Sequence, residues 1–152
     1  MNTGSSSTAD GSPGAVRHGR AWTALSLALA VHVADEALNG FLSLYNPIVT
    51  AAREKLPFLP FPTFRFPVWL GGLIFAVVVL LFLSRFAFRG SRWMRPLSYF
   101  IGIVMLFNGL LHFVGSVYMD RPMPGVYSSP LLLACAIYLL WAVWKLKREN
   151  FL

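Results

Sequence analysis

Four apolar blocks, separated by short polar or proline-rich segments, dominate the chain. They cover approximately residues 21–45, 66–84, 96–119 and 122–144, and the second block contains no charged residue. Each block is long enough to cross about 30 Å of hydrocarbon as an α-helix, which rises about 1.5 Å per residue. The pattern predicts four transmembrane helices, over residues 22–45, 67–88, 96–119 and 126–146.

The segments outside these blocks differ from one another in composition. Residues 1–20 are rich in Ser, Gly and Thr, which predicts a disordered polar tail ahead of a transmembrane domain over residues 21–148. Arg17 and Arg20 before an apolar run are also typical of a signal peptide, but the apolar character resumes after Glu36 and favours a full span. The proline-rich segment LPFLPFPTFRFP, in the loop over residues 46–66, cannot be helical throughout. We expect it on the outer membrane surface, as a cap over the helices or as a plain connector.

Composition and charge support a membrane location. Hydrophobic residues make up 57% of the chain and charged residues only 12%, whereas a soluble domain has about 25% charged residues. The net charge of +7 is spread between the apolar blocks. The lipid bilayer is therefore an expected partner and nucleic acid is not. The sequence leaves the oligomeric state open.

Lys and Arg residues are distributed unequally between the two sides of the predicted spans. Nine lie on one side, in the tail, in the loop between the second and third helices and after the fourth helix, and four lie on the other. The more basic side is predicted to be cytoplasmic, so that both the N and the C terminus face the cytoplasm. The expected fold is all-α, an integral membrane four-helix bundle.

One polar stretch, HVADEALNG at residues 32–40, interrupts the first apolar block. His32 lies three and four residues before Asp35 and Glu36, a spacing that puts each acid on the same helical face as the imidazole. A charged group at the bilayer centre costs about 2.5–3.5 kcal/mol. These side chains are therefore predicted to face the interior of the bundle.

The third predicted helix carries a matching polar stripe. Asn108 and His112 are four residues apart, and Gly102 and Gly109 would allow a neighbouring helix to approach closely. Both helices run outward from the cytoplasm, with His32 about ten residues and Asn108 about twelve residues from their starts. The two stripes are therefore predicted to meet at one level of the membrane. His18, in the predicted tail, is expected to be solvated.

Imidazole and carboxylate groups are the ligands that zinc and non-haem iron prefer. The sequence therefore offers His32, Glu36 and His112 as candidate ligands of a divalent metal, zinc or iron. Without a metal, the same groups are suited to proton transfer. The candidate catalytic residues are Glu36, Asp35, His32, His112 and Asn108. A purely structural role, in which these polar groups join the helices by hydrogen bonds, is the simplest alternative.

At three points the chain resembles the HXXEE-domain family of small bacterial membrane proteins. HVADE matches the family's opening motif with His32 and Glu36, although Asp35 stands where the family has glutamate. Asn108 and His112 match its second motif, and Pro124 with Gly125 matches the proline-glycine pair before the last helix. The resemblance implies a four-helix domain in the bacterial cytoplasmic (inner) membrane. It implies no established function.

The leading functional hypothesis is a membrane-embedded enzyme that acts on a lipid-soluble small molecule through metal-assisted or acid–base chemistry. Its polar site would be built by the two stripes. One alternative is a non-enzymatic protein that transports protons or small molecules, or binds a ligand. The other is a structural or partner-binding membrane bundle.

Overall fold

Five helices account for most of the chain that the computed structural model describes, which comprises residues 11–58 and 60–149. They are α1 (Pro13–Leu38), α2 (Phe41–Lys55), α3 (Phe66–Phe88), α4 (Met94–Tyr118) and α5 (Ser129–Glu149). No strand occurs among the described residues. All except α2 are long and apolar enough to cross a membrane. The all-α prediction is thus confirmed, and α3, α4 and α5 correspond closely to the last three predicted helices.

The first helix begins earlier than its apolar block. Ser12 caps α1, because its hydroxyl oxygen accepts a hydrogen bond from the backbone N–H of Ala15 at 3.2 Å. Pro13 occupies the first turn, where a missing N–H costs nothing. The predicted tail over residues 1–20 is therefore corrected, since residues 13–20 are helical. Residues 1–10 lie outside the described part of the chain.

The first apolar block is two helices rather than one. The side chain of Asn39 donates hydrogen bonds to the backbone oxygen and a carboxylate oxygen of Asp35, at 2.9 and 2.7 Å. Gly40 then adopts a left-handed conformation with φ of +72°, which glycine tolerates at the end of a helix. The predicted helix over residues 22–45 is therefore wrong in its last part, because α1 ends at Leu38 and α2 starts at Phe41 as a separate helix.

The proline-rich segment is tied to α2 by side-chain hydrogen bonds. Asn46 donates to the backbone oxygen of Phe64 at 2.9 Å and accepts from its N–H at 3.0 Å. The hydroxyl of Tyr45 donates to the backbone oxygen of Pro62 at 3.2 Å. The amide of Asn46 thus supplies the hydrogen bonds that the backbone N–H and C=O of Phe64 do not receive from a regular strand or helix in this proline-rich segment.

Helix α1 is the centre of the packing. It contacts α3 along one side and α5 along another, and α5 also packs against α4. Trp22 of α1 is buried and donates its indole N–H to the backbone oxygen of Leu80 on α3, at 2.7 Å. As the sequence predicts, Gly102 and Gly109 lie where α4 meets α5, against Leu140 and Leu133.

Helices α3 and α4 are neighbours in the chain but form no interface comparable with those of α1 and α5. The described helices therefore pack in the order α4, α5, α1, α3, and a gap lies between the first and the last. A cavity lined by residues of α1, α3 and α4 lies in this gap.

Candidate functional site

Three ionisable side chains meet in the interior, near the end of α1 that leads to Gly40. His32 and Glu36 of α1 and His112 of α4 are buried, and we call these three the donor cluster. The two Nε2 atoms of the histidines lie 3.2 Å apart. An oxygen of Glu36 lies 3.2 Å from Nε2 of His112 and 3.7 Å from Nε2 of His32. The predicted meeting of the two polar stripes is present in the structure.

Asp35 lies beside the donor cluster and acts on it through Ser128. One carboxylate oxygen of Asp35 accepts hydrogen bonds from the backbone N–H and the hydroxyl of Ser128, at 2.9 and 2.7 Å. The hydroxyl oxygen of Ser128 in turn lies 2.9 Å from Nδ1 of His32. Asp35 is therefore part of the site as a support for His32.

This arrangement favours one tautomer of His32. The hydroxyl of Ser128 has one hydrogen, and two acceptors compete for it, the Asp35 carboxylate at 2.7 Å and the Gly125 backbone oxygen at 3.1 Å. A hydroxyl that donates to the carboxylate, the stronger acceptor, accepts from Nδ1 of His32, and this pattern favours the tautomer with the proton on Nδ1. In the neutral imidazole, the lone pair is consequently on Nε2, the atom that faces the other two members of the donor cluster.

Gly125 covers the two imidazoles from the loop between α4 and α5. Its φ is +93°, and a Cβ at this position would lie 2.6 Å from Cε1 of His112 and 3.0 Å from Cε1 of His32. The loop is held in place by Ser116, whose hydroxyl oxygen accepts from the N–H of Met123 at 2.8 Å. Glycine occupies this position for a steric reason, since any side chain would overlap the two imidazole rings.

A cavity of about 460 Å³ adjoins the donor cluster, and we call it the α3–α4 cavity. His32, Glu36 and Asn108 form its polar end, beside Phe41 and Trp69. Asn108 therefore lines the same space as the cluster, one helical turn before His112, but is not one of its three members. A second cavity, of about 550 Å³, lies between the end of α4 and the following loop and includes none of the candidate site residues.

Other polar residues differ from their predicted roles. His18, expected to be solvated, is fully buried, and its Nε2 lies 2.7 Å from the hydroxyl of Ser98. The reason is that α1 begins before it and continues the buried face of the helix. Ser128 is a site residue that the sequence did not predict, whereas Gly125 belongs to the proline-glycine pair that the sequence singled out. The resemblance in the proline-glycine pair pointed to the correct loop, and no pattern pointed to Ser128.

The spacing of the donor cluster matches a metal site. Tetrahedral zinc with bonds of about 2.0–2.2 Å holds neighbouring ligand atoms about 3.3–3.5 Å apart. The three separations found here, 3.2, 3.2 and 3.7 Å, lie close to that range. Two histidines and one glutamate are also a known ligand set of catalytic zinc, in which the fourth position stays open. The donor cluster could therefore hold a metal ion without large rearrangement.

The fold and this site define a helical protein with membrane-length helices and a buried His/Glu cluster. The chain belongs to the family of proteins of unknown function with an HXXEE motif, whose family model matches residues 23–139. Comparison with curated proteins and with solved structures gives no match. The matched range includes the whole donor cluster together with Asp35, Gly125 and Ser128.

The contact between Gly125 and the imidazoles predicts the effect of a single added methyl group. We expect Gly125→Ala to lower the free energy of unfolding by about 1–3 kcal/mol more than Gly90→Ala, since overpacking adds to backbone strain. Gly90 is the matched control, because its φ is also positive, at +68°, and its Cβ would meet only Ala15 at 3.4 Å. Thermal unfolding in detergent measures both variants. Equal destabilisation would contradict a close fit of Gly125 over the histidines.

Proposed function

We propose that this is an integral membrane protein whose four long helices form a membrane-spanning bundle with both termini in the cytoplasm. The length and apolar character of α1, α3, α4 and α5 support the spans. The excess of Lys and Arg at the start of α1, around the α3–α4 loop and in the last turns of α5 supports the orientation. A bacterial cytoplasmic membrane is the proposed location.

The proposed activity is that of a membrane-embedded enzyme that uses a divalent metal on a lipid-soluble substrate. The single observation that carries this proposal is the spacing of the three donor atoms, at 3.2, 3.2 and 3.7 Å, in a buried site beside a cavity. Zinc and iron are the metals that fit two imidazoles and a carboxylate. When bound, such a metal polarises a substrate oxygen or activates a water molecule.

The protein's own groups have separate roles in this proposal. Glu36, His32 and His112 hold the metal, and Asp35 acts through Ser128 to keep the lone pair of His32 directed at it. Hydrogen-bonded partners of this kind orient ligating histidines and raise their basicity. Asn108, at the wall of the α3–α4 cavity, orients the substrate.

Metal-free acid–base chemistry is the second candidate. The direct contact of 3.2 Å between Glu36 and Nε2 of His112 favours it, because a proton shared there can be passed on to a substrate. Transport is supported less well, since α3 lines the cavity with apolar and aromatic residues only and offers no polar path. A purely structural cluster would tolerate replacement of both histidines by apolar residues without loss of function.

Metal content tests the leading proposal directly. The protein, purified in detergent without a histidine tag, is expected to contain zinc, iron or manganese near one equivalent by elemental mass spectrometry. A His32→Ala/His112→Ala double variant should lose that metal, because only one carboxylate ligand remains. His18→Ala is the matched control, since it removes a buried histidine outside the donor cluster. If folded wild-type protein contained no metal, proton transfer by the same residues would replace the metalloenzyme.

The hydrogen bond between Ser128 and His32 predicts a change in metal affinity. We expect Ser128→Ala to weaken metal binding by about 10–100-fold, the usual effect of losing a partner of a ligating histidine. The affinity is measured by competition with a chelator of known strength. Ser129→Ala is the control, because its hydroxyl donates to the backbone oxygen of Gly125 at 2.7 Å and does not contact His32. Equal affinities in the two variants would argue against the support of His32 by Ser128.

Enzymatic activity requires its own test. Cells in which the protein is replaced by Glu36→Ala or by His32→Ala should accumulate a lipid-soluble molecule that wild-type cells convert, because each variant loses a metal ligand. Comparative mass spectrometry of lipid extracts measures this difference, and His18→Ala again serves as the control. Unchanged lipid profiles with folded, membrane-inserted variants would show that the enzyme proposal is wrong.

A further inference from the structure

The shape of the α3–α4 cavity carries information about the substrate. Its walls come from two helices that do not pack closely, and its floor comes from α1. The apolar part of the walls includes Leu73, Ala76, Val79 and Leu80 on α3, and Ile101, Val104 and Met105 on α4. Val104 lines the cavity and is still 40% exposed. The cavity is therefore open along the side that would face the hydrocarbon of a bilayer.

The cavity is polar at one end and apolar along the rest of its length. Glu36 and Asn108 mark the polar end, next to Trp69. From Trp69 to Leu80, both of which line the cavity, α3 advances about 16 Å at about 1.5 Å per residue. An occupant that fits this shape is an amphiphile with one polar group and an extended apolar part.

Volume and charge narrow the class of occupant further. A volume of about 460 Å³ falls in the range of about 300–1,000 Å³ that is typical of small-molecule sites. No Lys or Arg occurs among the described residues that line the cavity, and Glu36 is the one acid there. No side chain at this end would give a phosphate group a cationic partner, and Glu36 would repel it, so an uncharged polar group is favoured.

We infer that the α3–α4 cavity binds one hydrocarbon chain of a single-chain lipid, with an uncharged hydroxyl or carbonyl group placed at Glu36 and Asn108. This inference deepens the proposed function and rests on it, since the polar group would then lie beside the residues that would hold the metal. The lipid reaches the cavity sideways from the bilayer, through the gap between α3 and α4.

The polar end is what makes such binding selective. A hydrocarbon chain gains little when it leaves lipid tails for an apolar cavity, because the two surroundings are equally apolar. A hydroxyl or carbonyl in the bilayer interior lacks partners, and hydrogen bonds to Glu36 or Asn108 supply them. The apolar walls therefore select the shape of the chain, and the polar residues select the head group.

Photo-crosslinking in phosphatidylcholine nanodiscs tests this inference. The probe is a long-chain primary alcohol with a diazirine on its alkyl chain, and labelled peptides are identified by mass spectrometry. We expect labelling of the α3 and α4 residues that line the cavity. Labelling should be lost in Val79→Trp, which fills the cavity, and retained in Val78→Trp, which places the same side chain on a residue that is 57% exposed and does not line it.

Two further probes show whether the hydroxyl head group or the hydrocarbon chain of the alcohol determines its binding. A diazirine alkane of the same length and a diazirine phosphatidylcholine should each label the cavity much less than the alcohol. If either labels it equally, or if labelling survives Val79→Trp, the inferred substrate class is wrong. Val104→Trp closes the cavity from the opposite wall and provides a second blocked variant, should Val79→Trp not fold.

Metal analysis of the same samples separates the two proposals. Wild-type protein with bound metal and no labelled cavity would overturn the inferred lipid and leave the metalloenzyme standing. A labelled cavity in protein without metal would overturn the metalloenzyme and retain the binding site for a single-chain alcohol. Val79→Trp with full metal content and no labelling would support both proposals together.

Discussion

The burial of one carboxylate and two imidazoles among apolar helices is the constraint on which the rest of the structure depends. Such groups are costly to bury unless each has a close polar partner. Glu36, His32 and His112 meet this requirement by contacting one another at 3.2–3.7 Å. Helices α1 and α4 form no extensive backbone interface. Their direct contacts include the donor cluster and the pair of His18 with Ser98, while both helices also pack against α5. A rotation of α4 relative to α1 would remove the contacts of His112 with His32 and Glu36 and leave its imidazole unpaired in an apolar environment.

The loop between α4 and α5 completes the site through a residue without a side chain. Gly125, which lacks a Cβ, lets the backbone lie directly over both imidazoles, at a φ of +93°. Three residues later, Ser128 joins Asp35 to His32 through its hydroxyl. The shorter side chain of Asp35, compared with the glutamate of the family motif, therefore suffices, because its target is the backbone N–H and hydroxyl of Ser128 and not the donor cluster. The motif residues act as one unit that spans α1, α4 and this loop.

Much of the fold was predictable from the sequence, because apolar length and helical period depend on local composition. The lengths of α3, α4 and α5 follow from it. The meeting of His32 with His112 also follows, because two stripes of polar side chains at equal depth avoid the cost of facing lipid when they contact each other. The break at Gly40 was missed because the apolar residues that resume after Glu36 complete the length of a full span, although Asn-Gly is a dipeptide that marks turns. The burial of His18 was missed because its flanking residues are polar, whereas its surroundings are set by helices distant in sequence. Ser128 carried no signal, since a serine that immediately precedes a helix is most simply a cap.

The two buried histidines of α1 show what distinguishes a reactive site from an internal hydrogen bond. His18 and His32 are fourteen residues apart, about four helical turns, so that they lie on nearly the same face of α1. His18 contacts the hydroxyl of Ser98 at 2.7 Å and belongs to no group of metal-binding side chains among the described residues. His32 has the same burial but also a carboxylate, a second imidazole and a cavity beside it. Burial alone thus gives a stable contact, whereas burial together with an acid and an open cavity provides the conditions for chemistry. The end of α1 near Gly40 meets these conditions, and the end near Pro13 does not.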